Sequence, residues 1–325
     1  VTKMITPKVL EKVQDHFGCS TLNGAELENQ DTSSCSIVGS HWEGRIFLNE
    51  LMAAVAIQNM PHPFVSEVTL GLFEDSGWYL PDYSNADTLI QDLHWGYNQG
   101  CNFATEKCVE NGVTDFGKFW CAEAGTYACS LDRKSVMGCL MYTYEEISEG
   151  IQSWNYFSGN TLGPTATPDY CPFYGSSITN RVCTDTNSDT VNTPNYYREV
   201  FGSSSRCFDS NLRDTVLSSS EYDATHQLCY EVECSSDNSA YTIKIESSAS
   251  TTGSVVDIGT CTEDGQTLTS SGFTGEVTCV SPALLCGVPA SKFSESTTLA
   301  PTTAPMPTTA PLPTTAPLPT TAPLP

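Results

Sequence analysis

Residues 39–54 read Gly-Ser-His-Trp-Glu-Gly-Arg-Ile-Phe-Leu-Asn-Glu-Leu-Met-Ala-Ala, and this stretch carries the strongest chemical signal in the chain. His41 is followed eleven residues later by Met52, inside the apolar run 46–57 (IFLNELMAAVAI). That run reads as a turn and a short buried helix. A lone imidazole usually has a local structural role, and a Met in an apolar run is usually core. Meaning therefore has to come from the surroundings. Downstream, Asn59 to Pro63 breaks the run, and a helix is expected over about 64–76, with Phe64, Val68, Leu72 and Phe73 on one face and Gly77 as its stop. Upstream, residues 7–17 read as a helix. Pro7 suits its first position, Val9, Leu10, Val13 and Phe17 recur at helical spacing, and Gly18 ends it. Read along the chain, this helix looks short of packing partners. Residues 19–40 are polar and read as a loop.

The whole chain has 325 residues, 38 acidic and 14 basic side chains, and a formal charge of −24. Such an acidic surface repels phosphate backbones, so no nucleic-acid partner is expected. No run of about 18 apolar residues exists that would cross a bilayer. The 39% apolar and 10% aromatic content is too high for a wholly disordered chain. The length suggests roughly two domains. Fifteen cysteines without a C-x₂-C pair point to disulfides in an oxidising compartment rather than to zinc modules. The odd count means that at least one cysteine is free, pairs with another molecule, or lacks its partner. The chain begins at Val1 with no apolar segment of the signal-peptide type, and is expected to be a fragment or a processed chain.

From Cys101 onward, cysteines recur among Gly, Ser, Asn and Asp, and short strands are expected near 240–245 and 275–280. Residues 302–325 are four copies of a hexapeptide, TTAPMP once and TTAPLP three times. Alternating proline favours extended polyproline II at about 3.1 Å per residue, as in an O-glycosylated stalk or a disordered tail. Neither H-E-x-x-H nor G-x-S-x-G occurs, and no glycine-rich phosphate loop is visible.

Longer motifs surround the His41 segment. They are His16-Phe17-Gly18-Cys19, residues 22–30 (LNGAELENQ), GSHWE, NELMA, residues 72–79 (LFEDSGWY), Trp95-Gly96 and Gly100-Cys101 with Cys108. Asp169-Tyr170-Cys171-Pro172 and Arg206-Cys207-Phe208 extend the series. Together, over roughly residues 1–290, they resemble the leishmanolysin family of metzincin zinc metallopeptidases. In a metzincin a third His completes the zinc sphere, and a Met-containing turn forms a hydrophobic floor beneath the metal. The resemblance implies that His41 is that third ligand and Met52 the Met-turn residue. The two helical histidines and the catalytic Glu would lie before Val1, so no catalytic residue is assigned within the chain, which alone is expected to be inactive.

The implied fold class is α+β. The C-terminal part of a metzincin catalytic domain, helices plus Met-turn, would occupy residues 1–105. A disulfide-rich, mainly β and loop domain would follow at 106–290, then a disordered Thr/Pro tail at 291–325. Family pairing, carried over by position, would join Cys19 to Cys101, Cys108 to Cys171, Cys121 to Cys139, Cys129 to Cys207, Cys183 to Cys229, Cys234 to Cys286, and Cys261 to Cys279. Cys35 would remain as the free thiol. Two departures from the family pattern stand out. The loop before His41 (31–38) is not glycine-rich and carries that extra cysteine, and Asn49 stands where relatives often have Asp.

The implied cofactor is one Zn²⁺ per complete catalytic domain, acting on protein or peptide substrates at an extracellular or cell-surface location. Membrane association is a family expectation only. A second class of function is a catalytically inactive relative that serves as a surface adhesion or recognition protein.

Overall fold

The computed structural model describes residues 1–30, 38–54, 63–157, 159–175, 181–188, 196–215, 225–248 and 251–287. Cys35, His62 and the Thr/Pro repeats lie outside the described residues.

Helix α1 spans Pro7–Phe17, with Pro7 in its first turn. It ends on Gly18, whose φ of 66° is the left-handed conformation that glycine adopts without a Cβ penalty. The N–H groups of Gly18 and Cys19 return to the carbonyls of Asp15 and Gln14 and satisfy two end-of-helix acceptors. Thr6, the N-cap, makes no side-chain capping bond. Asp75 does that work instead, its Oδ2 accepting from the N–H of Lys8 (2.8 Å) and Val9 (3.0 Å). Asp75 is the last residue of a helix spanning Glu67–Asp75, which follows the short α2 (Gly44–Phe47) and is therefore α3.

Helices α1 and α3 pack directly on each other, and α1 is not short of partners as its sequence position suggests. A Cβ on Gly71 of α3 would meet the carbonyl carbon of Lys8 at 3.2 Å, so the two backbones approach closely. Val9, Val13 and Phe17 are completely buried there. The amphipathic stripe was legible along the chain; the elements that cover it are distant in sequence.

Helix α3 differs in detail from the expected 64–76. Ser66 is its N-cap and accepts from Thr69 N–H, so Phe64 lies before the helix. Val68 is buried and Leu72 packs on the core, whereas Phe73 is 40% exposed and stacks edge-on against Tyr79. The i, i+4 pair faces inward, and Phe73 is rotated about 100° from Leu72. In the region read as a loop, Ala25–Glu26 forms a two-residue strand antiparallel to Lys3–Met4.

The main core draws on both ends of the first 173 residues, from Val9, Phe17, Trp42 and Phe47 to Trp95, Phe103, Trp120 and Phe173. Gly96 sits in this cluster with φ 73°, and a Cβ there would strike the rings of Phe17 (2.6 Å) and Phe103 (2.8 Å). A three-stranded antiparallel sheet (Tyr127–Cys129, Val136–Leu140, Phe173–Gly175) borders it.

Beyond it lies a six-stranded sheet, in the order Thr251–Cys261, Tyr241–Ser248, His226–Cys234, Ser205–Ser210, Val277–Thr278, Thr267–Leu268. All its pairings are antiparallel. Alternate residues Tyr241, Ile243 and Ile245 are buried, and with Phe208, Leu228 and Tyr230 they form a second core. Here the expected strands near 240–245 and 275–280 become Tyr241–Ser248 and Val277–Thr278.

Among the described residues seven disulfides tie this mixed helix-and-sheet fold: Cys19–Cys101, Cys108–Cys171, Cys121–Cys139, Cys129–Cys207, Cys183–Cys229, Cys234–Cys286 and Cys261–Cys279. Among the described residues no helix is long and apolar enough to cross a membrane.

Candidate metal centre

His41 lies in the irregular segment just before α2, partly buried. Main-chain pairing fixes this segment on both sides. On one side Glu28 N–H donates to His41 O at 2.9 Å, and Leu27 bridges Trp42. On the other, Trp42 N–H donates to Met52 O at 3.0 Å, and Trp42 bridges Ala53 in parallel. The turn that carries Met52 is thus stitched to the residue next to His41. Met52 itself is half-buried against the main core. The Nδ1 of His41 is buried and has no hydrogen-bond partner among the described residues.

A buried carboxylate holds this turn in shape. Glu50, only 2% exposed, accepts from Met52 N–H through Oε2 at 2.5 Å. Its Oε1 accepts from the hydroxyls of Ser66 (2.7 Å) and Thr69 (2.6 Å) and from Ser66 N–H (3.3 Å). Thr69 Oγ1 in turn accepts from the indole N–H of Trp42 at 2.8 Å. One side chain therefore ties the Met52 turn to the start of α3 and, through Thr69, to Trp42. Burial raises the Glu50 pKa, while the donors around it pull the other way. Its neighbour Asn49 accepts from Trp95 N–H at 3.0 Å, but its own Nδ2 is buried without a partner. An Asp at this position would have no such orphaned donor.

Beneath the segment, Glu26, Glu28, Glu43 and Asp169 are all buried, and Arg45 pairs with two of them. Arg45 lies 3.5 Å from both Glu26 and Asp169, and it donates to the carbonyls of Phe103, Ala104 and Glu106. Helix α4, Cys101–Thr105, supplies the first two of these carbonyls. Glu43 accepts from Asn29 Nδ2 (2.6 Å) and Arg45 N–H (3.1 Å), and Gln30 links Glu28 to Asp169. Burial, reinforced by the neighbouring Asp169, pushes the Glu43 pKa far up, and burial takes Glu28 to about 7. Lys3 also pairs with Glu26 at 3.2 Å, so two cations stand among four carboxyls, and the raised pKa of Glu43 favours its protonated form at neutral pH.

No group of three or more His, Cys, Asp or Glu among the described residues is arranged to hold a metal ion. Among the described residues of this segment, His41 offers a buried ring nitrogen without a hydrogen-bond partner, the feature a metal ligand would need. A four-coordinate catalytic zinc needs three protein ligands plus water. Arg45, Ser66 and Thr69 escaped the sequence reading, although Glu50, a carboxylate inside an apolar run, was a visible signal of a buried network.

Residues 1–287 match the model of peptidase family M8, leishmanolysin. The chain belongs to the leishmanolysin family. It is 30% identical over 243 residues to a leishmanolysin homolog of Crithidia fasciculata, covering 74% of this chain and 35% of that protein. It is 35% identical over 191 residues to a leishmanolysin-like peptidase of Caenorhabditis briggsae, covering 55% of this chain and 27% of that protein. Leishmanolysin of Leishmania major is 29% identical over 243 residues, covering 73% and 37%. The chain thus spans 27–37% of the length of these curated relatives.

Proposed function

We propose that this leishmanolysin-family chain is the C-terminal portion of a zinc metalloendopeptidase, that His41 is one of its zinc ligands, and that Met52 is the floor beneath the metal. The hydrogen bond from Trp42 N–H to Met52 O carries the reading, because it joins the imidazole segment and the methionine turn into one rigid unit. A bound zinc would act as a Lewis acid and lower the pKa of its water. The chain's own part is mechanical. His41 presents a buried ring nitrogen without a hydrogen-bond partner among the described residues, Trp42 and Glu50 fix the turn, and the Arg45 cluster anchors the strand-like segment behind it. The remaining ligands and the general base come from residues upstream of Val1. Substrates are proteins or peptides. Seven disulfides favour an extracellular or cell-surface location.

The test begins with the transcript. It should encode a zinc-binding helix ahead of Val1, and the protein expressed from it should bind about one zinc and cleave peptides in a chelator-sensitive way. His41→Ala in that protein should lose zinc and at least a hundredfold in kcat/KM. Full activity in His41→Ala, or a transcript without such a helix, would overturn the assignment.

A further inference from the structure

A cleft of about 370 Å³ opens beside the last turn of α1, lined among others by Asp15, His16, Glu67, Tyr83, Asp87 and Tyr97. Its size lies within the range of small-molecule sites. No residue of the 38–54 segment lines it.

His16 is 3% exposed and packs among the rings of Phe17, Phe47, Phe64 and Tyr97. Its Nε2 lies 3.0 Å from Trp95 O. A carbonyl can only accept, so Nε2 carries the hydrogen and Nδ1 is left as a bare acceptor. That Nδ1 is buried and has no donor among the described residues. Burial holds the ring pKa down to about 4, so it remains neutral near pH 7. A buried acceptor without a donor is unfavourable until something supplies one.

The charges around it specify what that something is. Among the described residues Asp15 has no ion-pair partner, and Asp87 accepts from Val65 N–H at 2.7 Å. Glu67 is paired with Lys12 at 2.7 Å, and Lys12 is further engaged by Glu11 and by the Tyr83 ring, 4.9 Å from its ammonium. The negative end of the α1 dipole adds to the same field. The cleft therefore combines surplus negative charge, aromatic walls and an orphaned acceptor.

We propose that this cleft binds an ammonium or guanidinium group on a short aliphatic stem, with His16 Nδ1, Asp15 and Asp87 accepting its N–H donors and the tyrosine rings flanking the stem. Such a group reaches the protein either as a free small amine or as a lysine or arginine side chain of another polypeptide. The experiment uses the full 325-residue chain with isotope-labelled histidine, read by NMR. Agmatine and N-acetyl-arginine amide are titrated as probes, with 1-butanol as the neutral control. Saturable movement of the His16 imidazole resonance with the cations and not with butanol is expected, weakening as salt rises. Tighter binding of agmatine identifies the free amine as the source, and tighter binding of the arginine derivative identifies a side chain. Asp15→Asn and Asp87→Asn remove charge at exposed positions, and together they should weaken the cation at least threefold while leaving the thermal midpoint within a few degrees. No saturable shift with either cation, an equal response to butanol, or unchanged affinity in the double variant would each overturn the proposal.

Discussion

Thr69, in the first turn of α3, donates its hydroxyl to Oε1 of Glu50 at 2.6 Å, across 19 residues of sequence, and accepts the indole N–H of Trp42 on the same oxygen. Glu50, Thr69 and Trp42 act as one unit, and the turn bearing Met52 depends on it. Glu50→Ala should therefore destabilise the fold by about 3 kcal/mol, because it strands two hydroxyls and two main-chain N–H groups in the interior. Thr69→Val, which keeps the shape and removes the relay, should cost about 1–2 kcal/mol. Urea unfolding measures both, and a loss under about 0.5 kcal/mol for Glu50→Ala would remove the network from the account.

The cap that Asp75 places on α1 makes a second prediction. Asp75→Ala leaves the N–H groups of Lys8 and Val9 without their acceptor and should cost about 1–2 kcal/mol. Asp75→Asn, which retains an acceptor oxygen, should recover part of that loss. Equal losses in the two variants would show that charge, not hydrogen bonding, is what matters there.

Acid stability follows from His16. Its folded pKa, about 4, lies below the ordinary histidine value of 6.5. In this window the unfolded chain binds the proton more readily than the folded one. The stabilising contribution is present above pH 6.5 and is lost as pH falls toward 4, by about 3 kcal/mol at most. His94 is shifted in the same direction by burial. His16→Phe keeps an aromatic ring in the cluster and removes the titration. Measured by denaturant titration, the stability of the native chain relative to His16→Phe should fall by up to about 3 kcal/mol as pH drops from 7 to 4. A constant gap would mean that His16 is not the titrating group.

Among the disulfides, closure of the longer loop should matter more. Cys19–Cys101 spans 82 residues and Cys121–Cys139 spans 18. In the chain-entropy view their removal costs about 4.5 and about 3 kcal/mol respectively. Paired Cys→Ala variants followed by thermal unfolding check the order. The reverse order would point to packing, not loop entropy, as what each bridge supplies.

The ends of α1 were readable because their determinants are local. Pro7 pre-sets the first turn, and Gly18 takes the left-handed φ that other residues avoid. The start of α3 was misplaced by three residues, because Ser66 becomes a cap only once its hydroxyl is drawn to Glu50. The exposed side of Phe73 was equally hidden, since two faces of a nine-residue apolar helix look alike until a partner selects one. The sheet strands announced themselves by alternation, but their order in the sheet did not.

What the sequence by itself determined is what neighbouring residues decide: where α1 begins and ends, which strands alternate, that the cysteines form disulfides rather than zinc pairs, and which family the motifs match. Only the tertiary structure decided that Arg45 would pair with two of four buried carboxyls and that a carboxylate would brace the Met52 turn. The same is true of His16, left with an unsatisfied nitrogen over an acidic cleft. Burial creates these properties. An exposed Glu28 or His16 would titrate near its ordinary value and bind water, and the residues that exclude that water arrive from segments as distant as Trp95, Phe103 and Asp169.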